Sequence, residues 1–268
     1  MKLALRGATA FAVLFLNFIA VTGGTASPPV SSWTLEPSST ACVISRSYGS
    51  TLVGLKAMPE GGGMQLVIAR PTYRKEVEQN DAQLAFGKVV VGTTALSYPA
   101  SGSGHRAANL INLSAEDSAR LRTAETFSVT VTSSMSEDFA LGSMDNVWST
   151  VDSCLEHLRA AWNVGTAHAD RIATRATAIV PLASLFSEDD YPLSAIFLKQ
   201  AGTVKVQLLI DEAGAVKDCT LVQTSGIAML DLRSCAVIIK GAKFNPALDA
   251  EGHPVKSSKT QQITWKLG

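Results

Sequence analysis

The sequence of 268 residues has few of the residues that build several common kinds of functional site. It has four cysteines and four histidines, which excludes a disulfide-dense mini-protein and argues against a zinc site with several ligands. Aromatic residues make up 6%, too few to predict stacking platforms for nucleic-acid bases. Lys+Arg and Asp+Glu each number 23, so no basic excess indicates a nucleic-acid partner. The 46% of hydrophobic residues nevertheless predicts a folded core.

The motifs of common catalytic sites are also missing. The chain has no Gly-x-Ser-x-Gly elbow, no phosphate-binding loop signature and no His-Glu-x-x-His. Its most suggestive cluster, residues 102–106 with Ser103 and His105, favours a flexible turn, and the acidic run at 188–190 favours solvated residues at a helix start. The histidines show no metal-ligand spacing. We therefore predict no catalytic residue, no metal site and no cofactor, and a protein that is not an enzyme.

The N-terminus has the pattern of an export signal. Lys2 and Arg6 precede an uncharged, mostly apolar run over residues 8–21, and small residues at 23–26 fit cleavage before Ser27. We expect residues 1–26 to be a cleaved signal peptide and the protein to be periplasmic. The alternative is an uncleaved anchor in the inner membrane, although a spanning helix needs ~20 apolar residues.

Export would place the cysteines in an oxidising compartment, where disulfides form. They fall into two groups along the chain, Cys42 and Cys154, then Cys219 and Cys235. Four cysteines allow three pairings. A division of the chain into domains favours pairing within each group, but the sequence alone does not choose between the pairings.

Hydrophobic patterns divide the exported chain into two domains. Short runs at 42–44, 51–57, 64–69, 86–91 and 127–131 predict strands, and apolar residues at spacings of three and four predict a helix over about 144–162. Residues 27–162 therefore predict a β-rich domain closed by a helix, with no role indicated. Residues 163–186 lack a sustained apolar stripe and predict a linker. Residues 187–268 predict a helix, strand, turn, strand, helix and strand, so the fold class is α+β.

Several short pieces of this last unit occur in the order and spacing of one known family. They are Tyr191-Pro192, Gly202-Thr203-Val204, the run at 211–216, Thr224-Ser225-Gly226, Leu230-Asp231 and the run at 244–247. On these pieces residues 187–268, under a third of the chain, resemble the TonB C-terminal domain family. Cys219 would lie in the family's return strand and Cys235 on the helix that packs against it, so the resemblance also implies a local disulfide.

The resemblance implies binding by strand addition. TonB domains recruit an extended segment of an outer-membrane transporter along an exposed strand edge, where main-chain hydrogen bonds supply much of the affinity. The candidate edge here consists of Gln261, Gln262, Ile263, Thr264, Trp265 and Lys266. Under the alternative interpretation, Lys266 only protects the edge from aggregation. Strand exchange between such domains would also produce a homodimer.

Two features separate this sequence from a complete energy transducer. Such transducers keep an uncleaved N-terminal anchor that typically carries a functional histidine, and a long proline-rich spacer that can cross the periplasm. Here the apolar run at 8–21 has no histidine, and the 10 prolines are scattered along the whole chain. Our leading interpretation is therefore a non-enzymatic periplasmic binding or adaptor protein that engages an extended peptide of a transporter or another envelope protein. One alternative is a membrane-anchored transducer, which would need inner-membrane proton-channel partners. The other is an envelope enzyme in residues 27–162 that the TonB-like unit localises.

Overall fold

The computed structural model describes residues 26, 29, 31–36, 38–60, 62–72, 74, 76–100 and 106–267. The export signal, apart from residue 26, lies outside the described residues, as do Ser103 and His105 of the suggested cluster. The α+β fold class is confirmed, because the described chain contains a large antiparallel sheet, a small sheet and four α-helices.

The N-terminal region, residues 34–162, is built on a nine-stranded antiparallel sheet with the strand order β1-β2-β3-β4-β7-β6-β5-β8-β9. Its strands are β1 (Thr34–Glu36), β2 (Cys42–Tyr48), β3 (Thr51–Ala57), β4 (Met64–Arg70), β5 (Glu78–Phe86), β6 (Val89–Ala100), β7 (Arg106–Leu113), β8 (Thr126–Val131) and β9 (Met135–Ala140). The run at 86–91, predicted as one strand, instead spans the hairpin turn at residues 87–88 between β5 and β6. Gly87 takes a positive φ of 60° there, which a tight hairpin turn requires.

The large sheet is curled so that its two ends approach each other. The Tyr48 hydroxyl on β2 donates to the Ala140 carbonyl on β9 over 2.9 Å, and the Arg46 guanidinium donates to the Leu141 carbonyl over 2.7 Å. Alternate side chains of β3, including Val53 and Leu55, are buried on the inner face, as the period of two in a strand predicts.

Two helices pack on this sheet. Helix α1 (Ala115–Thr123) begins after its N-cap residue Ser114, whose side chain accepts the Asp117 backbone N–H over 3.0 Å. Helix α2 (Asp145–Trp162) closes the core, and its predicted apolar stripe is buried. The buried residues of α2 are Trp148, Val151, Leu155, Leu158 and Trp162. A disulfide between Cys42 and Cys154 joins α2 to β2.

The C-terminal region centres on a three-stranded antiparallel sheet in the order β12-β11-β16. Its elements are β10 (Thr177–Ala178), α3 (Leu193–Phe197), β11 (Gly202–Ile210), β12 (Val216–Gln223), α4 (Ala228–Gly241), β13 (Phe244–Asn245), β14 (Ala247–Leu248), β15 (Pro254–Val255) and β16 (Ser257–Trp265). Helix α4 packs on one face of this sheet around a second apolar core. A disulfide joins Cys219 on β12 to Cys235 on α4.

Part of the segment at 163–186, predicted as a linker, packs against this second core. Strand β10 pairs with β13, and Thr174 forms an isolated bridge with Leu248. Ala176 and Leu182 are buried in the core cluster. The boundaries of the domains remain a prediction, while these contacts attach the second half of the segment to the C-terminal region.

The face of the small sheet opposite α4 lies against the N-terminal region. Leu209 on β11 is 1% exposed and belongs to the N-terminal core cluster. The side-chain amide of Gln207, also 1% exposed, donates to Glu60. Lys56 forms an ion pair with Asp218 on β12 over 3.2 Å. The second half of β11, residues 206–210, is therefore buried on both faces, whereas the alternating pattern of the strand predicts burial on one.

Candidate functional site

Strand β16 lies at one edge of the small sheet. In the described part of the chain it pairs with β11 alone, over a register from Gly202↔Trp265 to Ile210↔Ser257. The strand begins four residues earlier than the predicted edge of Gln261–Lys266. Because each strand has hydrogen-bonding groups on both sides, the side of β16 that faces away from β11 has backbone groups available to another strand.

Side chains along β16 alternate between the solvent and the core. Gln262 and Thr264 are exposed, and Lys266 is exposed just after the strand ends, so these three form the predicted polar side. Gln261 and Ile263 are partly buried. The amide of Gln261 donates along the strand to the Gln262 carbonyl over 2.8 Å.

The side chain of Trp265 is committed to the C-terminal core. It is 6% exposed, and its indole N–H donates to the Ser234 hydroxyl on α4 over 2.9 Å. Its ring makes edge-to-face contacts with Phe186 and Tyr191, with centroid distances of 5.5 and 5.2 Å. Only the backbone of Trp265 is therefore available to a partner strand, because its side chain holds the end of β16 against the core.

A groove of about 420 Å³ runs beside this end of β16. Phe186 and Tyr191 give it an aromatic wall, and Thr264 lines it from the strand. Glu188 and Lys266 add one charge of each sign. The groove therefore provides an apolar surface with a polar border next to the available backbone groups.

Hydrogen bonds hold the residues that flank this groove. The carboxylate of Asp190 accepts the Ser187 backbone N–H over 2.7 Å and the Ser187 hydroxyl over 2.8 Å, and it pairs with Arg233 over 2.6 Å. The bonds from Ser187, assisted by Arg233, hold the pKa of Asp190 below its ordinary value. Tyr191 donates to the Gln200 carbonyl over 2.7 Å, and burial raises its pKa. The acidic run at 188–190 thus fixes a short 3₁₀ turn, Glu188–Asp190.

Helix α3 presents an exposed apolar surface directly after Tyr191. Leu193 and Phe197 lie four residues apart, and their side chains are 83% and 87% exposed. The helix ends at Phe197, and Lys199 takes a positive φ of 52° in the turn that follows. Exposed apolar side chains of this size mark a contact surface when they lie together.

The opposite edge of the small sheet is less accessible. Strand β12 pairs with β11 on one side, and its other side faces the N-terminal region, where Lys56 contacts Asp218. At the start of α4, the Ala228 N–H donates to the Thr94 hydroxyl over 3.2 Å, and the Met229 N–H donates to Gln79 over 2.9 Å.

Other potential chemistry is dispersed among the described residues. His157 is exposed on α2, while His168 contacts Glu156 over 3.0 Å and His253 contacts Asp249 over 3.5 Å. No three His, Cys, Asp or Glu residues of the described ranges are grouped so that they could hold a metal ion. Over the same ranges, every helix is too short or too polar to cross a membrane.

Sequence reasoning missed two parts of this site. Phe186 fell in the predicted linker, and its aromatic spacing to Tyr191 was the available signal. The exposure of Leu193 and Phe197 has no signal in the sequence, because a helix with apolar residues four apart ordinarily predicts a buried stripe.

Comparison with known proteins identifies one segment of the chain. Residues 187–267 match the family model described as Gram-negative bacterial TonB protein C-terminal. Searches of the curated proteins and of the solved structures found no match to the chain. The matched segment covers α3 and every strand of the small sheet, with α4 packed on one face. Residues 187–267 therefore belong to the TonB C-terminal domain family.

Proposed function

We propose that this protein is a periplasmic binding or adaptor protein that takes up an extended peptide along β16. The observation that carries the proposal is the open edge of β16, which pairs only with β11 among the described residues. A peptide that adds to this edge would continue the antiparallel sheet through main-chain hydrogen bonds. The other edge is an inferior acceptor, because the N-terminal region lies beside β12, where Lys56 pairs with Asp218 and only a cavity of about 330 Å³ separates the two.

The groove beside Trp265 would supply selectivity. Main-chain bonds alone do not distinguish one sequence from another, so specificity in strand addition comes from pockets for alternate side chains. Phe186 and Tyr191 favour an apolar or aromatic side chain from the peptide, and Glu188 and Lys266 favour polar groups on either side of it. Leu193 and Phe197 on α3 would extend the contact beyond the groove.

The partner that we propose is an extended segment of an outer-membrane transporter. The family match supports this class of partner, since TonB C-terminal domains are transport-related and not enzymatic. The export pattern at residues 1–26 supports a periplasmic location. We extend the absence of enzymatic activity to the whole protein as part of the same proposal.

Photo-cross-linking in living Gram-negative cells tests the edge directly. The residue p-benzoylphenylalanine replaces Thr264 at the groove in one variant and Thr130 on β8 in a matched control, because both threonines are exposed on strands. We expect irradiation to link the Thr264 position, and not the Thr130 position, to a segment of an outer-membrane transporter. Adducts at both positions or at neither would contradict the proposal, and an adduct with a second copy of this chain would replace the transporter with a homodimer.

Hydrogen exchange distinguishes strand addition from a contact through side chains alone. Outward-facing amides of β16 should exchange rapidly in the free protein and become protected once the cross-linked partner segment, made as a synthetic peptide, is bound. Protection confined to α3, with unchanged exchange along β16, would place the peptide on the apolar surface and exclude strand addition.

A further inference from the structure

A second cavity of about 330 Å³ lies between the two regions, on the side of the small sheet away from β16. The outer face of the large sheet forms one wall, and β12 with the first turns of α4 forms the other. We call this cavity the inter-region cleft. Its volume lies within the range of small-molecule sites, about 300 to 1,000 Å³, and such sites are apolar cavities with a few converging polar groups.

The cleft has an adaptable apolar lining. Met58, Leu96 and Leu110 lie on the N-terminal side, and Leu221 lines the cleft from β12. The disulfide between Cys219 and Cys235 also lines the cleft. Methionine side chains adjust to ligands of different outline, so this lining fits a small apolar group without prescribing one shape.

A buried carboxylate with no ion pair among the described residues lies at the polar end of the cleft. Asp231 on α4 is 2% exposed, and its carboxylate accepts the Ser225 backbone N–H over 2.9 Å, the Ser225 hydroxyl over 2.7 Å and the Thr224 hydroxyl. The Asn112 side chain on β7, which accepts a hydrogen bond from the Gln65 amide over 3.1 Å, also lines the cleft. Among the described residues no basic side chain forms an ion pair with Asp231, whereas the ammonium of Lys56, which also lines the cleft, is paired with Asp218.

A buried carboxylate without a cation is costly, because hydrogen bonds replace only part of its lost hydration. Burial accordingly raises the pKa of Asp231, and the hydrogen bonds from Thr224 and Ser225 oppose that rise. A positively charged ligand at this end of the cleft would supply the missing countercharge, and the apolar walls would hold the rest of the molecule.

We propose that the inter-region cleft binds a small organic cation, a primary amine with an apolar body, with its ammonium group at Asp231. The cleft and the β16 edge lie at opposite sides of the three-stranded sheet. Binding in the cleft would therefore leave the β16 edge free, and it would contact both regions at once.

The test uses the full chain, purified from a Gram-negative envelope with both disulfides formed, and two matched probes. Benzylamine is charged at neutral pH, and benzyl alcohol is its neutral counterpart. Backbone amide signals are followed by NMR while each probe is added. We expect benzylamine to shift amides of β12 and around Asn112, to leave β16 unchanged, and to bind at least about tenfold more tightly than benzyl alcohol, as a charged hydrogen bond implies.

Three variants separate the charge from the cavity. Asp231→Asn should remove the preference for benzylamine over benzyl alcohol. Leu232 lines the cleft from a half-exposed position on α4, so Leu232→Trp should narrow the cleft and weaken the binding of both probes about tenfold or more. Ile239 is similarly exposed on α4 but lies outside the cleft, so Ile239→Trp should change neither affinity. Because Asp231 also holds the 224–225 loop, Leu232→Trp keeps the test decisive if Asp231→Asn does not fold. Equal binding of the two probes to the unmodified chain would overturn the assignment to amines, and no shift in the cleft at millimolar probe would overturn the site.

Discussion

The turn between β11 and β12 offers a sharp test of how the C-terminal region is held together. Gly214 has a φ of +75°, and a Cβ atom at this position would lie 1.8 Å from the Phe244 carbonyl oxygen. The Phe244 N–H donates to the Gly214 carbonyl over 3.0 Å, and the Phe244 side chain is buried in the second core. The substitution Gly214→Ala therefore strains the turn and also pushes the chain that follows α4.

The expected loss of stability combines three effects. The left-handed backbone costs a residue with a Cβ atom about 1 to 2 kcal/mol. Moving Phe244 away loses a hydrogen bond that contributes about 1 kcal/mol. Repacking a buried side chain against an intruding atom costs about 1 to 3 kcal/mol more. We expect Gly214→Ala to lower the free energy of unfolding by at least about 3 kcal/mol.

Gly252 provides the matched control. Its φ of +83° is as strained for alanine, but nothing lies within 4 Å of the position of its Cβ atom. Gly252→Ala should therefore lose only the backbone contribution, about 1 to 2 kcal/mol. Urea unfolding followed by circular dichroism measures both variants. If the two losses are equal, the contact between Gly214 and Phe244 does not stabilise the fold, and the reasoning fails.

Three further perturbations test other contacts. Trp265→Phe removes the indole hydrogen bond to Ser234 and should lower the free energy of unfolding in urea by about 1 kcal/mol. Trp265→Ala should lower it by about 3 to 5 kcal/mol. Equal losses would contradict a specific hydrogen bond. The pKa of Asp190 is lowered on folding, so the stability that its carboxylate contributes is present above its ordinary pKa of 3.8 and is lost as the pH falls. Asp190→Asn should therefore flatten the pH dependence of stability below about pH 4. An unchanged slope would refute this prediction. Replacing both cysteines of a disulfide by serine should lower the free energy of unfolding more for Cys42–Cys154, which closes a loop of 112 residues, than for Cys219–Cys235, which closes a loop of 16. By chain entropy the losses are about 4 to 5 kcal/mol and about 3 kcal/mol, respectively. The reverse order would contradict this argument.

Local periodicity predicted the elements of the fold well where one face of an element is apolar. The stripe on α2 and the capping of α1 by Ser114 follow from spacing within a few residues, and the structure contains both. The order of elements in the C-terminal region follows in the same way, and its resemblance to a known family is shown by the match over residues 187–267.

Contacts between distant parts of the chain were not predictable from periodicity. Strand β4 pairs with β7 rather than with β5, its successor, and no local pattern encodes that choice. The polar run from Ser257 to Thr260 extends β16 because β11 supplies its partner groups, although the run has no apolar alternation. The two cavities likewise depend on tertiary packing, so their lining residues could not be grouped in advance.

The burial of the second half of β11 on both faces bears on the binding that we propose at β16. A three-stranded sheet has two edges and two faces, and α4 covers only one face. Here the N-terminal region covers part of the second face through Leu209 and Gln207, and Lys56 reaches β12 to pair with Asp218. Under the proposed function, the edge of β16 is therefore the preferred place for a peptide to join the sheet.

Separating the regions should reverse this selection. Residues 163–267 expressed alone would expose Leu209, which is 1% exposed in the full chain, together with the edge of β12. Exposed apolar surface beside an open strand edge favours association, so we expect this fragment to self-associate at micromolar concentration in sedimentation experiments. Leu209→Thr replaces the apolar side chain with a polar one that strands favour and should restore a monomer. Val204→Thr, on the α4 face of the same strand, should destabilise the fragment without restoring a monomer. A fragment that stays monomeric with Leu209 in place would show that the N-terminal region does not protect this face, and that the preference for β16 has another origin.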